Sequence, residues 1–283
     1  DVESVVAILL RALHDKDTIV RWSAAKGIGR IAERLPRLLA QEVAAAVVAV
    51  LEEETLVGAD GAIDVTMTAE SSWHGALLCL AELSRKGLLF PGELRQAIPW
   101  VVRGLTYEIQ RGNCSVGSNV RDAACYVMWS LARIPNDASR RVFAEMSTEM
   151  ATALISVAVF DRECSIRRAA SAAFQEHVGR QGAFPHGIAV LQLADFYAVG
   201  IMRNAFVVAS SKIATFDEYR RPLLAHLCTN TIYHWDVRTR ELAACALAGL
   251  APLAPDYVRT QLLPGIVANA SSPFLALRHG AIA

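Results

Sequence analysis

The chain has 283 residues, and its 28 basic and 28 acidic side chains give a formal net charge of zero. This balance gives no electrostatic reason to expect nucleic acid or an anionic membrane as a partner. Apolar residues make up 53% of the sequence but aromatic residues only 7%. The excess therefore lies in small and aliphatic side chains, which suit helices packed closely on helices.

The six cysteines are scattered without a Cys-x-x-Cys pair, which is typical of reduced thiols in a cytosolic protein. The apolar run at residues 43–51 is far shorter than the roughly 20 residues that span a bilayer. We therefore expect a cytoplasmic protein with no membrane span. Because the chain starts with Asp and stops within an apolar pattern, we also expect it to be a fragment of a longer protein.

One motif recurs along the chain, in which an apolar or small residue precedes a basic residue and a run of small residues. Successive copies lie between 36 and 52 residues apart, which brackets the period of HEAT and armadillo arrays, roughly 40 to 47 residues. The sequence therefore predicts an all-α fold, a HEAT/armadillo-type α-solenoid of about six to seven helical pairs in one continuous array over residues 1–283. The copies are centred on Arg21, Trp73, Arg121, Arg167, Arg203, Arg240 and Arg278.

The first copy carries Asp15 six residues before Arg21, and the copy around Arg167 repeats this spacing with Asp161. In HEAT arrays an Asp at the turn between paired helices typically bonds the Arg of the next repeat, which builds a ladder along the stack. We predict this structural role rather than partner binding, which is the alternative. The predicted ladder residues are Asp15, Arg21, Arg121, Asp161, Arg167 and Arg240.

Aromatic residues accompany the same motif. At helical spacing, tryptophans are expected to fill the core or the space between repeats, whereas a tryptophan exposed on a concave face would be a binding anchor. We predict core positions for Trp22, Trp73, Trp129 and Trp235.

Residues 52–72 are acidic, contain glycine and lack a helical period, so they predict a flexible insertion inside the second repeat. No alternating pattern lasts long enough to predict a β-sheet. The prolines are expected between helices or at helix starts.

Residues 111–120 are rich in glycine but do not meet the pattern of a phosphate-binding loop. The Gly-Lys-Ser/Thr ending is missing, no strand is predicted before the segment, and Ser115 lacks the first glycine of a nucleophile elbow. We predict a turn that caps a helix beginning near Asn119, and an inert thiol at Cys114.

Polar residues crowd around three glycines and a proline at residues 172–187. We expect a helix end here, with His177 on the polar side of the helix and Gly179 and Gly182 ending it. The connection is longer than a cap requires, so we predict a partner contact at Arg180, Gln181 and His186. An enzyme that uses His177 is the alternative, but no catalytic, metal or cofactor constellation is found in the sequence.

Long irregular segments resemble the central HEAT-repeat region of the tubulin-folding cofactor D family, also called tubulin-specific chaperone D. The resemblance covers nearly the whole chain from Asp15 and departs from the family at residues 56–71, where a shorter link is expected. The segments that carry it are residues 15–36, 73–91, 105–133, 159–188, 194–200 and 234–247.

This resemblance implies a cytoplasmic, microtubule-associated scaffold that binds β-tubulin and is not itself an enzyme. It implies work with tubulin cofactors A, C and E and an Arf-like small GTPase, in assembling or disassembling the αβ-tubulin heterodimer. It also implies that the assembly stimulates GTP hydrolysis by tubulin, with no cofactor bound to this chain. The alternative is a generic HEAT-repeat adaptor for transport or phosphatase assembly.

Overall fold

A computed structural model of the chain describes residues 2–53, 55–57, 63–64, 68–112, 114–134 and 137–283. Helices dominate these ranges, as the repeat pattern predicts, and the all-α fold class is confirmed. The helices are α1 (Val2–Ala12), α2 (Thr18–Ala32), α3 (Arg37–Glu53), α4 (Glu70–Arg85), α5 (Pro91–Gly104), α6 (Ser118–Leu131), α7 (Asp137–Phe160), α8 (Cys164–Arg180), α9 (Gly187–Leu193), α10 (Ser210–Ile213), α11 (Asp217–Thr229), α12 (Val237–Leu250), α13 (Pro255–Tyr257), α14 (Leu263–Asn269) and α15 (Leu275–Ile282).

Short 3₁₀ and π-helical segments complete the helical part of the second half. The 3₁₀ segments are Ala198–Gly200, Thr231–Tyr233 and Ala251–Leu253, and the π-helical ones are Asn204–Ala209 and Val258–Leu262. The chain divides into two compact units. The first comprises Asp1–Met146 with Gly179–Ala183, and the second comprises Ser147–Val178 with Phe184–Ala283.

The core of the first unit is built around α4. This helix packs against α2, α3 and α6, and every residue from Ser72 to Ser84 is buried. A helix covered on all sides needs apolar or paired side chains all round, which the sequence of α4 supplies. Small residues allow the close approach: a Cβ on Gly75 would overlap the carbonyl oxygen of Leu13.

The core of the second unit is built around α12. This helix packs against α11, α15, the π-helical segment Asn204–Ala209 and the 3₁₀ turn at Thr231–Tyr233. Asp236 begins the helix, because its carboxylate accepts the backbone N–H of Thr239 at 2.9 Å. Phe160 and Phe206 add an edge-to-face pair with ring centroids 5.5 Å apart.

Two short antiparallel hairpins contradict the prediction of no β-structure. Strand β1 (Leu56–Val57) pairs with β2 (Ile63–Asp64), and β3 (Ile109–Arg111) pairs with β4 (Cys114–Val116). Gly112, with φ +63°, lies in the second turn. Strands of two or three residues are too short for an alternating pattern to reveal them.

The predicted insertion at 52–72 is only partly described. Helix α3 continues to Glu53 and α4 already begins at Glu70, so the irregular segment is shorter than expected. Residues 54, 58–62 and 65–67 lie outside the described ranges, and the predicted flexibility falls mainly on them. The described end of the segment is tied down, since the hydroxyls of Thr68 and Tyr107 lie 2.7 Å apart.

Two prolines contradict the prediction that all of them lie between helices or at helix starts. Pro99 lies inside α5 and Pro222 inside α11, where each removes one backbone donor from its helix.

Helix α7 contains one long apolar stretch. Residues Arg141–Phe160 are long and apolar enough to cross a membrane by length and composition, but 67% of the 18-residue apolar window within them is buried inside the protein. Such burial is also typical of a core helix.

Candidate protein-interaction site

Three of the predicted ladder arginines make the same contact with the turn that precedes their helix. Each lies in the first turn of its helix, and its Nη1 donates to the carbonyl oxygens six and five residues earlier. These charge-assisted bonds hold the turn against the helix start. The acceptors are Asp15 (2.6 Å) and Lys16 (3.0 Å) for Arg21, Asp161 (3.0 Å) and Arg162 (2.9 Å) for Arg167, and His234 (2.6 Å) and Trp235 (2.8 Å) for Arg240.

The two predicted ladder aspartates contribute to these turns through two different atoms. Their carbonyl oxygens accept from the arginine, while their carboxylates accept backbone N–H groups two residues on. Asp15 Oδ1 accepts from Asp17 at 2.8 Å, and Asp161 Oδ1 accepts from Glu163 at 2.7 Å, as in Asx turns. The bond between each Asp and its Arg is therefore a carbonyl bond inside one repeat, which differs from the bond between repeats that we expected.

The bond to the next repeat comes from the arginine Nε. Arg21 donates its Nε–H to Nδ1 of His74 in α4 at 2.9 Å, and Arg240 donates to Nδ1 of His279 in α15 at 3.2 Å. Burial, with Arg21 as a second cause, lowers the pKa of His74 from 6.5 to about 4. A neutral imidazole is the form that can accept this bond.

A glycine follows each of these histidines and brings the two backbones together. A Cβ on Gly75 would overlap the carbonyl oxygen of Leu13, and a Cβ on Gly280 would overlap that of Ile232. Leu13 and Ile232 each lie eight positions before their arginine. We call each set of arginine, histidine, glycine and carbonyl an Arg-His-Gly junction. The sequence shows it as the dipeptide His-Gly at 74–75 and 279–280, which the search for basic residues missed.

Arg167 and Arg121 donate to further backbone carbonyls rather than to a histidine. The Nε and Nη2 of Arg167 donate to the carbonyl oxygens of Val199 at 2.7 Å and Gly200 at 3.0 Å, and burial lowers the pKa of this arginine. Arg121 donates to the carbonyl oxygen of Tyr107 at 2.9 Å. The four ladder arginines are only 2 to 5% exposed, so their guanidinium groups face the interior rather than a partner.

The connection after α8 was the predicted partner contact. Arg180 is exposed at the end of the helix. In the first unit, Gln181 donates from Nε2 to the carbonyl oxygen of Ala132 at 2.7 Å. In the second unit, His186 adopts a left-handed backbone, stacks on Phe216 at 4.5 Å and places Nε2 3.3 Å from Glu218. The partner contact at these residues stays a prediction.

The position predicted for His177 is wrong. Its side chain is 1% exposed and stacks on Phe184 with centroids 4.6 Å apart. The helical period did not distinguish the buried face, because a glutamine and a glutamate directly precede this histidine in the sequence. A buried imidazole has no access to a substrate, so an enzyme built on His177 finds no support here.

A line of aromatic rings lies at the surface of the first unit. Trp22 of α2 and Tyr126 of α6 have ring centroids 5.7 Å apart, and Tyr126 and Trp129 have centroids 6.1 Å apart. We call these three residues the aromatic row. All three are partly exposed, so Trp22 and Trp129 do not fill the core as predicted. Trp73, with 1% exposure, does fill it, and Trp235 is partly exposed.

Polar contacts with α4 fix the central ring of the aromatic row. The hydroxyl of Tyr126 donates to Glu82 Oε1 at 2.9 Å, and Arg85 donates to the Tyr126 oxygen at 3.0 Å. Burial and the contact with Glu82 raise the pKa of Tyr126, and the hydrogen bond with Tyr126 raises that of Arg85. At neutral pH the phenol is therefore protonated and the guanidinium is charged. The ring is held in one orientation before any partner arrives.

Over the described ranges, no group of three or more His, Cys, Asp or Glu side chains could hold a metal ion. The arrangement that these residues do offer is a fixed aromatic surface on a stack of helices, which is suited to binding another protein.

The sequence matches a family model described as tubulin-specific chaperone D-like, ARM repeats, over residues 1–188. It is 39% identical over 274 residues to a tubulin-specific chaperone D from Dictyostelium discoideum. It is 32% identical over 264 residues to a tubulin-folding cofactor D from Schizosaccharomyces pombe. These alignments cover 96% and 93% of this chain but only 18% and 24% of the two relatives.

Among solved structures, the chain is weakly similar to two artificial proteins. One is an engineered protein, with TM-score 0.40 and 16% identity, covering 87% of this chain and 96% of that chain. The other is a designed armadillo repeat protein in complex with the peptide (KR)4, with TM-score 0.38 and 16% identity, covering 86% of this chain and 98% of that chain.

Proposed function

Because the chain belongs to the tubulin-specific chaperone D family, we propose that it is part of a scaffold that binds β-tubulin during tubulin folding. The family that the sequence segments resemble is confirmed by this membership. The observation that carries the proposal is the aromatic row, which lies entirely within the residues that match the family model. Exposed, fixed aromatic rings are the side chains that most often supply binding energy in protein interfaces.

The mechanism that we propose is binding without covalent chemistry. Within each unit, the Arg-His-Gly junction joins one helical pair to the next, and Arg167 adds a second such contact in the second unit. The stability of such stacks comes largely from contacts between neighbours. A stiff stack presents the aromatic row with little loss of conformational entropy on binding. In this proposal the scaffold holds tubulin in place while other proteins act on it.

The finer parts of the proposal extend to the wider assembly. We infer that the scaffold works with tubulin cofactors A, C and E and an Arf-like small GTPase to assemble or disassemble the αβ-tubulin heterodimer. In this scheme it stimulates GTP hydrolysis that takes place on tubulin, and it acts in the cytoplasm near microtubules. Arg180, Gln181 and His186 are proposed as secondary contacts with these proteins.

The test is recovery of β-tubulin with the full-length protein and with a Trp22→Ala, Trp129→Ala double variant. We expect the wild type to retain β-tubulin and the double variant to lose at least about tenfold in affinity, as for interface aromatics. The matched control is Trp235→Ala, which also removes a partly exposed tryptophan that stacks with an arginine, Arg162, at 5.0 Å. This control should bind normally.

Two results would contradict the proposal. If the wild type failed to retain β-tubulin and instead recovered transport cargo or phosphatase subunits, the adaptor alternative would be correct. If the double variant and the Trp235→Ala control bound β-tubulin as well as the wild type does, the aromatic row would not be the contact.

A further inference from the structure

Cations lie at both ends of the aromatic row and beside its central ring. Lys26 Nζ is 5.2 Å from the centroid of Trp22, and Arg133 Cζ is 4.4 Å from that of Trp129. Arg85 Nη1 is 3.0 Å from the hydroxyl of Tyr126. All three cationic side chains are exposed. We call Lys26, Arg85 and Arg133 the basic rim.

The carboxylates of the surrounding helices offset part of this positive charge, since Arg85 is itself paired with Glu82 at 3.2 Å. Glu82 is nearly buried and already accepts hydrogen bonds from Tyr126 and Arg85. Glu33 pairs with Lys86 at 2.8 Å. Asp122, the acidic residue of α6 itself, is exposed and opposes part of the positive charge. The four cations Lys26, Arg85, Lys86 and Arg133 exceed the three carboxylates Glu33, Glu82 and Asp122 by one, so these groups give the surface a small positive excess, although the whole chain is neutral.

The spacing along this surface suits an extended peptide. Passing from Lys26 through Trp22, Tyr126 and Trp129 to Arg133, the steps measure 5.2, 5.7, 6.1 and 4.4 Å. An extended chain advances ~3.3 Å per residue, so at most about six or seven residues are needed to follow these steps from end to end. Side chains alternate between the two faces of such a chain, so acidic and apolar residues can both point toward the surface within that length.

We propose that the aromatic row and the basic rim together bind an extended acidic segment of a partner protein. Carboxylates of the segment pair with Lys26, Arg85 and Arg133, and an apolar side chain packs on the exposed rings of Trp22 and Trp129. The inference rests on the proposed function only in taking the partner to be a protein. Since the rings of Trp22 and Trp129 already stack with Lys26 and Arg133, these cationic side chains are partly ordered before binding, which lowers the loss of side-chain entropy when the segment binds.

A peptide fits this surface better than a single-stranded nucleic acid does. Nucleic acids bind such platforms by stacking their bases on separate rings. Here the rings contact one another, and Tyr126 lies at only 20° to Trp129, so no base enters between them.

The experiment measures binding of a fluorescein-labelled peptide to the full-length protein by fluorescence anisotropy at several salt concentrations. The peptide has about ten residues, enough to exceed the path at ~3.3 Å per residue, and consists of glutamates with two phenylalanines. Two control peptides replace the glutamates by lysines or the phenylalanines by serines. We expect binding of the acidic aromatic peptide alone, weakening as salt is raised.

Matched variants separate the contributions of charge and rings. Lys26→Gln with Arg133→Gln should lower affinity at least about tenfold and flatten the salt dependence. Lys212→Gln with Arg238→Gln removes the same charge from exposed positions of the second unit and should leave affinity within about twofold. Trp129→Leu should weaken binding but keep the salt dependence.

Several outcomes would overturn the inference. One is equal binding of the lysine peptide; another is unchanged affinity in both the rim and the ring variants. A third is binding of a uridine oligonucleotide that is stronger than peptide binding and lost in the same variants, which would make the ligand a nucleic acid. The β-tubulin recovery experiment is separate. Peptide binding without β-tubulin retention would support this inference and contradict the proposed function. Retention of β-tubulin without peptide binding would support the proposed function and contradict this inference.

Discussion

Arg21 and His74 form a hydrogen bond between neighbouring helical pairs in which the arginine Nε–H donates to the histidine Nδ1 at 2.9 Å. The same guanidinium holds the turn before its own helix through its Nη1 atom. One side chain therefore fixes both the inside of a repeat and its boundary. The bond requires a neutral imidazole, with its proton on Nε2.

This requirement predicts a pH-dependent stability. The folded protein holds the pKa of His74 at about 4, against an ordinary 6.5, so the unfolded chain takes up the proton first as the pH falls. Neutral His74 makes its full contribution to the free energy of unfolding above pH 6.5. As the pH falls toward 4, this free energy decreases by about 3 kcal/mol at most. Urea unfolding followed by circular dichroism between pH 4 and 7.5 measures this loss.

His74→Asn is the control for the pH effect. Asparagine places an oxygen acceptor near the position of Nδ1 but does not titrate, so the variant should lose less stability than the wild type does between pH 6.5 and 4. An identical slope in both proteins would show that other groups cause the pH dependence.

Arg167→Ala should destabilise the protein strongly without a selective effect on β-tubulin binding. Four carbonyl oxygens, on Asp161, Arg162, Val199 and Gly200, lose their donor. Leaving such buried groups unsatisfied should cost about 3 kcal/mol or more. Thermal unfolding and β-tubulin recovery are the two measurements.

The neighbouring Arg168→Ala serves as the control for Arg167. Arg168 is only partly buried and stacks on Phe196 at 4.2 Å, so its loss should cost about 1 kcal/mol or less. If Arg167→Ala kept its stability but lost β-tubulin, the arginine would be a binding residue and not part of a ladder.

Gly75→Ala should destabilise the first unit, because the added Cβ meets the carbonyl oxygen of Leu13 and must push α4 away from the turn that follows α1. We expect a loss of about 2 kcal/mol or more. Gly249→Ala in α12 is the matched control, since nothing lies within 4 Å of its Cβ position. Alanine favours helix there by up to about 1 kcal/mol. Equal melting temperatures for both variants would refute the close-contact role of Gly75.

Two tryptophans from the same motif should respond in opposite ways. Trp73→Ala removes a buried ring that contacts Trp100 and Tyr107 and should cost about 3 to 5 kcal/mol of stability. Trp129→Ala removes a partly exposed ring and should cost far less, while weakening β-tubulin binding. Unfolding and binding measured on both variants test this division, and a stable Trp73→Ala protein would contradict it.

The fold prediction depended mainly on the repeat spacing. A helical pair that stacks on its neighbours must repeat its packing residues at a near-constant interval, so this spacing is visible in the sequence. The helix predicted near Asn119 begins at Ser118. The hairpin before it was not predicted, although Gly112 is of the residue type that hairpin turns favour. Its strands are simply too short to compete with the surrounding helical pattern.

The candidate site was harder to predict for a geometric reason. Trp22 and Tyr126 are far apart in sequence and meet only because α2 and α6 both pack on α4. No single-helix period contains that information. The histidine and glycine of the Arg-His-Gly junction were visible at two places in the sequence, but their meaning depends on the carbonyl oxygens of Leu13 and Ile232, which lie in the preceding repeat.

The Arg-His-Gly junction is compact enough to be transplanted. It needs one arginine in the first turn of a helix, a His-Gly pair in the helix of the next repeat, and a backbone carbonyl eight positions before the arginine, as at Leu13 and Ile232. Three side-chain choices thus define the contact distance between two repeats. A protein engineer could install the set at a chosen joint of an artificial repeat array and so set the distance between those two repeats separately from all others.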